Sequence, residues 1–570
     1  MWKNSVFLFS ILFVLFGMAE EARAADHYVR TGATGSANGN DWTNAYADLP
    51  QTLVRGDVYY IADGTYQDRL FGTALNGTKT ITIKKAIASD HGAAADWQAQ
   101  YGDGQANFGN LEFSTGYWVF DGQTGGGPGS WNSGFGFRLN HTSEHGVVLG
   151  NNADNVTMRH VEVIGNLTDG VQGFRLTGAD NFTLSYYSMN QIGNCPFFLV
   201  PVSNFVAEYG YVGKFSGSGA NHSEIASIWG GVTGSMTFRY NVFTSVTSTG
   251  GIMWDNNNDH NARLNVYGNV FANLPSSGVW DNGANGLIGG WTGGNGEDFY
   301  NAKIYNNSFI NTSGRIFTDF ITRSGDNVAA NNLFYNSSAP GYADIQTHNY
   351  NHYINSGGSQ GEANGTSSSG GDPFVDYVNL NFALKAATAA GQTLGSPYTL
   401  DALGITRGAD GTWDRGAFEF GSEGLSDTVA PIITQVAAIQ SITRDNTPNY
   451  TFSSTEAGVI SYVGDCSVTN ISAANANNAI TLNALKRGTH SDCSIKVTDA
   501  ANNQSASLSI PPFTITFRSD LNLDRSVNVS DFGLLNTYYG TGNSAGDINL
   551  DGKVDMIDFG IMRTEYGGTM

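Results

Sequence analysis

Trp229, Trp254 and Trp280 recur at intervals of 25 and 26 residues, and Trp291 follows shortly after. Flat indole faces repeated at a regular interval can serve as platforms for the C–H faces of rings such as sugars, whereas indoles turned inward would simply be core. Beside them run Arg175, Lys214, His222, Glu224, Asp255, Asp281, Arg315 and Asp319, with Asn221 to Trp229 the densest segment. Two carboxyl groups from neighbouring elements suffice to hydrolyse a glycosidic bond. One protonates the leaving oxygen, the other acts as base or nucleophile, and their separation sets the stereochemical outcome. A β-elimination needs a base for a carbon-bound proton and a cation or protonated group to neutralise a carboxylate. His222, Lys214, Arg175 and Arg315 suit those roles, with a Ca2+ on Asp255 or Asp281 as a further aid. The residue types leave both chemistries open. Singly, each residue has a plainer reading as a solubilising charge, a turn cap or an ion pair. It is the cluster beside the tryptophans that makes a candidate site. His145, His160, Arg159 and Arg239 form a second-ranked set on an earlier face.

Such side chains need a scaffold that brings them together across long stretches of sequence. Segments opening at Asn155, Asn181, Asn204, Ser235, Arg263, Asn301 and Asn327 each alternate apolar and polar residues, which marks a strand with one buried face. Their starts lie 23 to 38 residues apart, the period of stacked coils. In such a stack, residues one coil apart become neighbours about 4.8 Å apart. Asn241, Asn269, Asn307 and Asn332 occupy nearly the same place in successive coils, where amides can bond their own copies above and below. The pattern resembles a right-handed parallel β-helix of the pectate-lyase-like superfold over residues 25–421. The segment Gly56 to Tyr66 is similar to the opening cap of secreted β-helix proteins, and Asp372 to Phe420 to their closing segment. The resemblance implies an all-β catalytic rod and a secreted carbohydrate-active enzyme, a glycoside hydrolase or polysaccharide lyase. The alternative is a non-catalytic surface or matrix protein that only binds glycans.

Near the C-terminus one acidic loop is written twice, 27 residues apart. The first copy places Asp520, Asn522, Asp524, Ser526, Asn528 and Asp531 at loop positions 1, 3, 5, 7, 9 and 12. The second places Asp547, Asn549, Asp551, Lys553, Asp555 and Asp558 there. This spacing wraps a short loop around a hard cation that takes six or more oxygens at about 2.4 Å, so two Ca2+ ions are expected. Val527 and Val554 are apolar pins at position 8. The pair resembles a type I dockerin module, the plug that docks secreted polysaccharide-degrading enzymes onto cohesin-bearing scaffolds. It departs from the pattern at Arg525, where a glycine usually makes the turn. The partner-reading positions 10 and 11, Val529-Ser530 and Met556-Ile557, are unlike each other.

Residues 1–24 read as a secretory signal: Lys3, the apolar run Val6 to Phe16, and Ala22-Arg23-Ala24 as the cleavage site. The mature chain is therefore expected to be extracellular and without a membrane span. Residues 422–429 read as a linker and 430–517 as a β-sandwich of short alternating strands. Val497 to Asn503 resembles the last hairpin of bacterial immunoglobulin-like modules. Cys466 and Cys493 lie in this region, in a compartment where disulfides persist, and are expected to pair; Cys195 is read as a buried small hydrophobe. The small α-helical calcium-loop module occupies 518–570. The net charge of −22, with no basic stripe, argues against nucleic acid as a partner.

Overall fold

The computed structural model describes residues 24–570 except 142–144, 217–222, 245–249, 255–260, 275–285, 291–299, 319–326, 343–344, 422–429, 469–471 and 500–502. The chain divides into two compact units, Met1–Glu423 and Gly424–Met570. No helix among the described residues is long and apolar enough to cross a membrane.

The first unit is a parallel β-helix. Each coil passes through three short strands, as in Ala226–Ile228, Thr233–Arg239 and Val242–Thr244. The next coil repeats them at Ile252–Trp254, Asn261–Tyr267 and Val270–Ala272, paired in parallel register with the first. One ladder is a nine-stranded sheet running from Arg69–Phe71 to Arg315–Thr318. The other two ladders merge into a 22-stranded sheet, because strands such as Val156–Ile164 and Asp180–Asn190 continue through the bend between them. Inward residues stack on their own copies. Phe243, Phe271, Phe309, Phe334 and Tyr353 form one such column, with centroids 5.2, 5.0, 5.0 and 5.1 Å apart. Stacked in this way, apolar surface stays buried along the whole coil series.

The bend between the merged ladders is made by one left-handed residue. Tyr240, Gly268, Asn306, Asn331 and Tyr350 all have φ between 53° and 67°. Each is followed at once by Asn241, Asn269, Asn307, Asn332 or Asn351, all essentially buried. The amides of Asn269, Asn307, Asn332 and Asn351 each accept from the backbone N–H and the Nδ2 of the asparagine in the preceding coil, at 2.9–3.0 Å. All five also donate to a carbonyl of an earlier coil, such as Ala207, Phe238, Val266, Ile304 or Ala329. The ladder expected from four asparagines is thus five rungs long. It is closed at one end by Gly210 N–H and the Tyr187 hydroxyl donating to Asn241, and at the other by Glu362, which accepts from Asn351.

The second unit begins with short, mostly antiparallel sheets over a single core that includes Tyr450, Phe452, Ile495 and Val497. Cys466 and Cys493 form the expected disulfide, and Cys195 is buried and reduced, as expected. Two helices follow, α1 (Val529–Tyr538) and α2 (Met556–Glu565). Asn528 and Asp555 cap them, and Asp531 and Asp558 complete capping boxes. Val527, Val554, Leu535, Met562 and Ile548 form the small core of the pair. Residues 518–570 belong to the same compact unit as the sheets. The Arg487–Glu565 ion pair (3.0 Å) and the bond from Thr516 Oγ1 to Asp520 Oδ2 (2.6 Å) tie them together.

Arg525 adopts φ +71°, the conformation that Gly552 takes at φ +88° in the second loop. A Cβ costs roughly 1–2 kcal/mol in that region, whereas glycine enters it freely but loses more entropy on folding. Arg525→Gly is therefore expected to raise the stability of the second unit by about 0.5–1 kcal/mol, read as a higher midpoint in denaturant titration. An unchanged or lower midpoint would show that the arginine side chain contributes more than its backbone costs.

Candidate functional site

The outward row of the nine-stranded sheet is fixed by register. Glu112, Val148, Arg175, Phe198, Ser227 and Met253 follow one another on consecutive coils. The Arg175 guanidinium lies over the Phe198 ring at 4.9 Å, an arrangement that orients the cation and is worth about 0.5–1 kcal/mol at a partly exposed site. The Trp229 ring sits 6.4 Å from Phe198 at an angle of 37°, and its Nε1–H donates to Ser227 Oγ at 2.9 Å. Arg175, Phe198 and Trp229 are half-buried. Together they make a fixed cation and two aromatic surfaces on one face.

Trp254 does not join them. It is 1% exposed and belongs to the main core. The ladder pairs Trp254 with Ile228, not with Trp229. A one-residue offset reverses the side of the sheet on which a side chain emerges, so a sequence interval of 25 placed an inward and an outward tryptophan in apparent alignment. The platform role assigned to Trp254 is corrected to that of a core residue, filling space opposite Gly290.

A second column lies two residues ahead of the strands of this sheet: His145, Gln172, Cys195 and Glu224. The backbone N–H of Gln172 donates to His145 Nδ1 at 3.1 Å, and Arg175 donates to Gln172 Oε1 at 3.1 Å. Burial, then the nearby Arg175 and His141, push His145 down to about 4. Cys195 Sγ donates to Glu224 Oε2 at 3.1 Å, and burial pushes this thiol well above its usual range. Glu224 is fully buried, so in this conformation its carboxyl sits beneath the face rather than on it.

Of the other residues singled out in the sequence, His222, Asp255, Trp280, Asp281, Trp291 and Asp319 lie outside the described residues. Arg315 is exposed on the last strand of the nine-stranded sheet, five strands from Arg175, which places it outside the cluster. Lys214 is exposed just after Tyr211–Val212, and its N–H is bonded to Asn190 Oδ1 at 3.0 Å. It belongs to the neighbouring ladder, and no described contact joins it to Arg175 or Glu224. The second-ranked set is held in structural pairs. Arg159 pairs with Asp121 (2.8 Å), Arg239 pairs with Glu208 (2.5 Å), and His160 stacks on Tyr186 and bonds Gly125 O. Only His145 of that set reaches the Arg175 cluster. Phe198 and Gln172 were missed. Phe198 lies inside the apolar run Cys195 to Val202, and only its register opposite Arg175 marks it as outward.

In the first of the C-terminal loops the carboxylates converge. Oxygens of Asp520, Asp524 and Asp531 lie within 4.8 Å of one another. Asp531 Oδ1 accepts from the N–H groups of Leu521 and Asn522, and Oδ2 from Asn528. Asp558 does the same for Ile548, Asn549 and Asp555. Asp520 accepts from Asp524 and Arg525, and Asp547 from Asp551 and Gly552. The two loops are therefore built alike. Their side-chain donors are all oxygens, the set that suits a hard cation such as Ca2+, with only the main-chain carbonyl of Ser526 or Lys553 suited to position 7.

No family model matches this chain, and no curated protein matches it. Among solved structures it is similar to pectate lyase Pel9A, at 12% identity and a TM-score of 0.35 over 70% of this chain and 97% of that one. It is also similar to the catalytic unit of a thermostable GH87 alpha-1,3-glucanase from Streptomyces thermodiastaticus strain HF3-3, at 12% identity and a TM-score of 0.26 over 56% and 63%. A third likeness is to the Dettilon tailspike protein, at 11% identity and a TM-score of 0.22 over 82% and 84%. At these scores no residue role or activity is carried over to this chain.

Proposed function

We propose that this chain is a secreted carbohydrate-active enzyme that binds a polysaccharide along the outer face of its nine-stranded sheet and cleaves it there. The observation that carries this reading is the cluster of Arg175 and Phe198, in register on neighbouring strands, with Trp229 two residues past Ser227 on the next coil. A pair of aromatic surfaces with a pre-oriented guanidinium matches an extended ligand that alternates apolar ring faces with oxygen substituents. Glu224 lies on the coil of Trp229, two residues ahead of its strand, Glu112 stands in the outward row two strands from Arg175, and His222 and Asp255 adjoin these strands in sequence. Hydrolysis and β-elimination both remain within the reach of these residue types. The test is a polysaccharide panel read for new reducing ends, unsaturated uronate absorbance and product masses. Trp229→Ala is expected to weaken binding or turnover on the active polysaccharide about tenfold. No product from any polymer would remove the enzyme reading.

A second reading, a non-catalytic glycan-binding protein, draws support from the full burial of Glu224 against Cys195. Glycan binding that persists in Glu224→Gln and Asp255→Asn, without turnover in the wild type, would favour it.

In the C-terminal part, the duplicated loops would each hold a Ca2+ through the residues named above, and the bound ion would supply the positive charge that holds these carboxylates together. The tail would then act as a dockerin-like plug following an immunoglobulin-like module. The exposed Val529, Phe532, Met556 and Ile557 on α1 and α2 support a docking role. A pull-down with cohesin modules, with and without chelator, tests it. Absence of calcium-dependent capture would leave a calcium-stabilised terminal module without that partner.

A further inference from the structure

His145 stands at a point where three observations meet. Its Nδ1 is the acceptor for the Gln172 N–H, at 3.1 Å. Gln172 is itself tied through Oε1 to Arg175 at 3.1 Å, so His145, Gln172 and Arg175 form one connected unit from two neighbouring coils. The imidazole is half-buried. A backbone N–H can donate only to an imidazole nitrogen that carries no proton. The hydrogen bond therefore fixes both the charge and the tautomer of His145: neutral, with its proton on Nε2. A cationic ring would lose this acceptor and face the Arg175 guanidinium as a like charge.

We propose that His145 is a specificity-determining residue of the glycan-binding face, presenting a neutral Nε2–H beside the Arg175 guanidinium as a second donor to oxygen substituents of a bound sugar. This rests on the reading of that face as the polysaccharide site. His145 is not the general base. A base needs an available lone pair on the side facing the substrate, and the only lone pair of this ring is spent on Gln172. The cation and the neutral donor divide the work. Arg175 supplies charge and a planar fork, while His145 supplies a directional donor that adds no repulsion to a site already holding one cation.

The experiment has two arms, both on the full chain. In the first, histidine-selective isotope labelling with long-range nitrogen–proton correlation is compared between wild type and His145→Gln to assign the ring. The Nε2–H neutral pattern is expected at neutral pH. A cationic ring or the Nδ1–H tautomer there overturns the proposal whatever the ligand. In the second, affinity for whichever polysaccharide the panel identifies is measured for His145→Phe and His145→Gln, with Trp229→Ala alongside. His145→Phe is expected to bind about tenfold more weakly, and both substitutions should lower the melting temperature alike, since each removes the acceptor of the Gln172 N–H. His145→Gln, whose amide N–H lies near the Nε2 position, should recover most of that loss. If Trp229→Ala weakens binding and His145→Phe does not, the role of His145 is wrong and the site stands. If the wild type binds no glycan at all, the site reading falls and this role falls with it.

Discussion

Replacing Asp531 by alanine is expected to unfold the C-terminal helical pair while leaving the β-helix intact. Asp531 is fully buried, and its two oxygens accept from three backbone N–H groups, those of Leu521, Asn522 and Asn528. Alanine leaves all three donors without that acceptor, at about 1–3 kcal/mol for each one that water does not reach. It also removes one of the three converging carboxylates, and with it a ligand for a cation. The pair has only a small core, Val527, Leu535, Ile548, Val554 and Met562, so losses of this size exceed what such packing can offset. The readout is helical circular dichroism and hydrogen exchange over residues 518–570, in calcium and in chelator. In wild type, chelation should lower the melting temperature of this part, because Asp520, Asp524 and Asp531 then repel one another without a counter-charge. In Asp531→Ala, chelator should change little, since the loop is already disrupted. A wild-type tail that melts identically with and without calcium would remove the metal from the account. An alanine variant that keeps its helices would show that the caps and core suffice without the carboxylate.

Much of this architecture was readable in the sequence because it rests on residue types with few alternative uses. A buried asparagine at the same place in successive coils has almost no role other than to bond its own copy, so Asn241, Asn269, Asn307 and Asn332 mark the bend in the sequence itself. Cys466 and Cys493 were equally legible, as the two cysteines of one small β-rich region. The face carrying the candidate site was legible only in outline. Trp229 and Trp254 are spaced like successive rungs, yet coil lengths vary by a residue or more through their connecting segments, and interval alone cannot tell Trp254 opposite Ile228 from Trp254 opposite Trp229. Phe198 stayed hidden for a related reason. In the run Pro196-Phe-Phe-Leu-Val nothing local distinguishes the inward Phe197 from the outward Phe198. The distinction comes from the neighbouring strand, where Phe174 and Leu176 point in and Arg175 points out. Glu224 shows the opposite limit. Its position beside the face was foreseeable, but its burial against Cys195 depends on which way its coil enters the sheet.

Asn307→Ala is expected to cost more than any single apolar truncation of similar size in the β-helix. Asn307 is fully buried in the middle of the ladder. Its Oδ1 receives the Asn269 N–H and Nδ2, and its own Nδ2 donates to Val266 O and Asn332 Oδ1. Alanine removes four hydrogen bonds at once and leaves the Asn269 N–H and Val266 O, both in the interior, without these partners. Each orphaned backbone group costs about 1–3 kcal/mol, and the space left by the amide adds a cavity term. A loss of about 3–5 kcal/mol follows for the coils on either side. Because each coil contacts chiefly its neighbours, the damage should stay local, as in other stacked repeats. Amide exchange in Asn261–Tyr267, Val270–Ala272 and Ser308–Ile310 should accelerate by at least about a hundredfold, while exchange in Val156–Ile164, several coils away, stays close to wild type. Asn265→Ala is the matched control. Asn265 is half-buried on an outward row, donates to Thr237 Oγ1 at 3.4 Å and accepts from the Tyr398 hydroxyl at 3.5 Å, both long bonds, so its removal should cost less than about 1 kcal/mol. Equal effects of the two substitutions would mean that water enters the bend and satisfies the freed groups, and the ladder would then define the register of the coils without stabilising them.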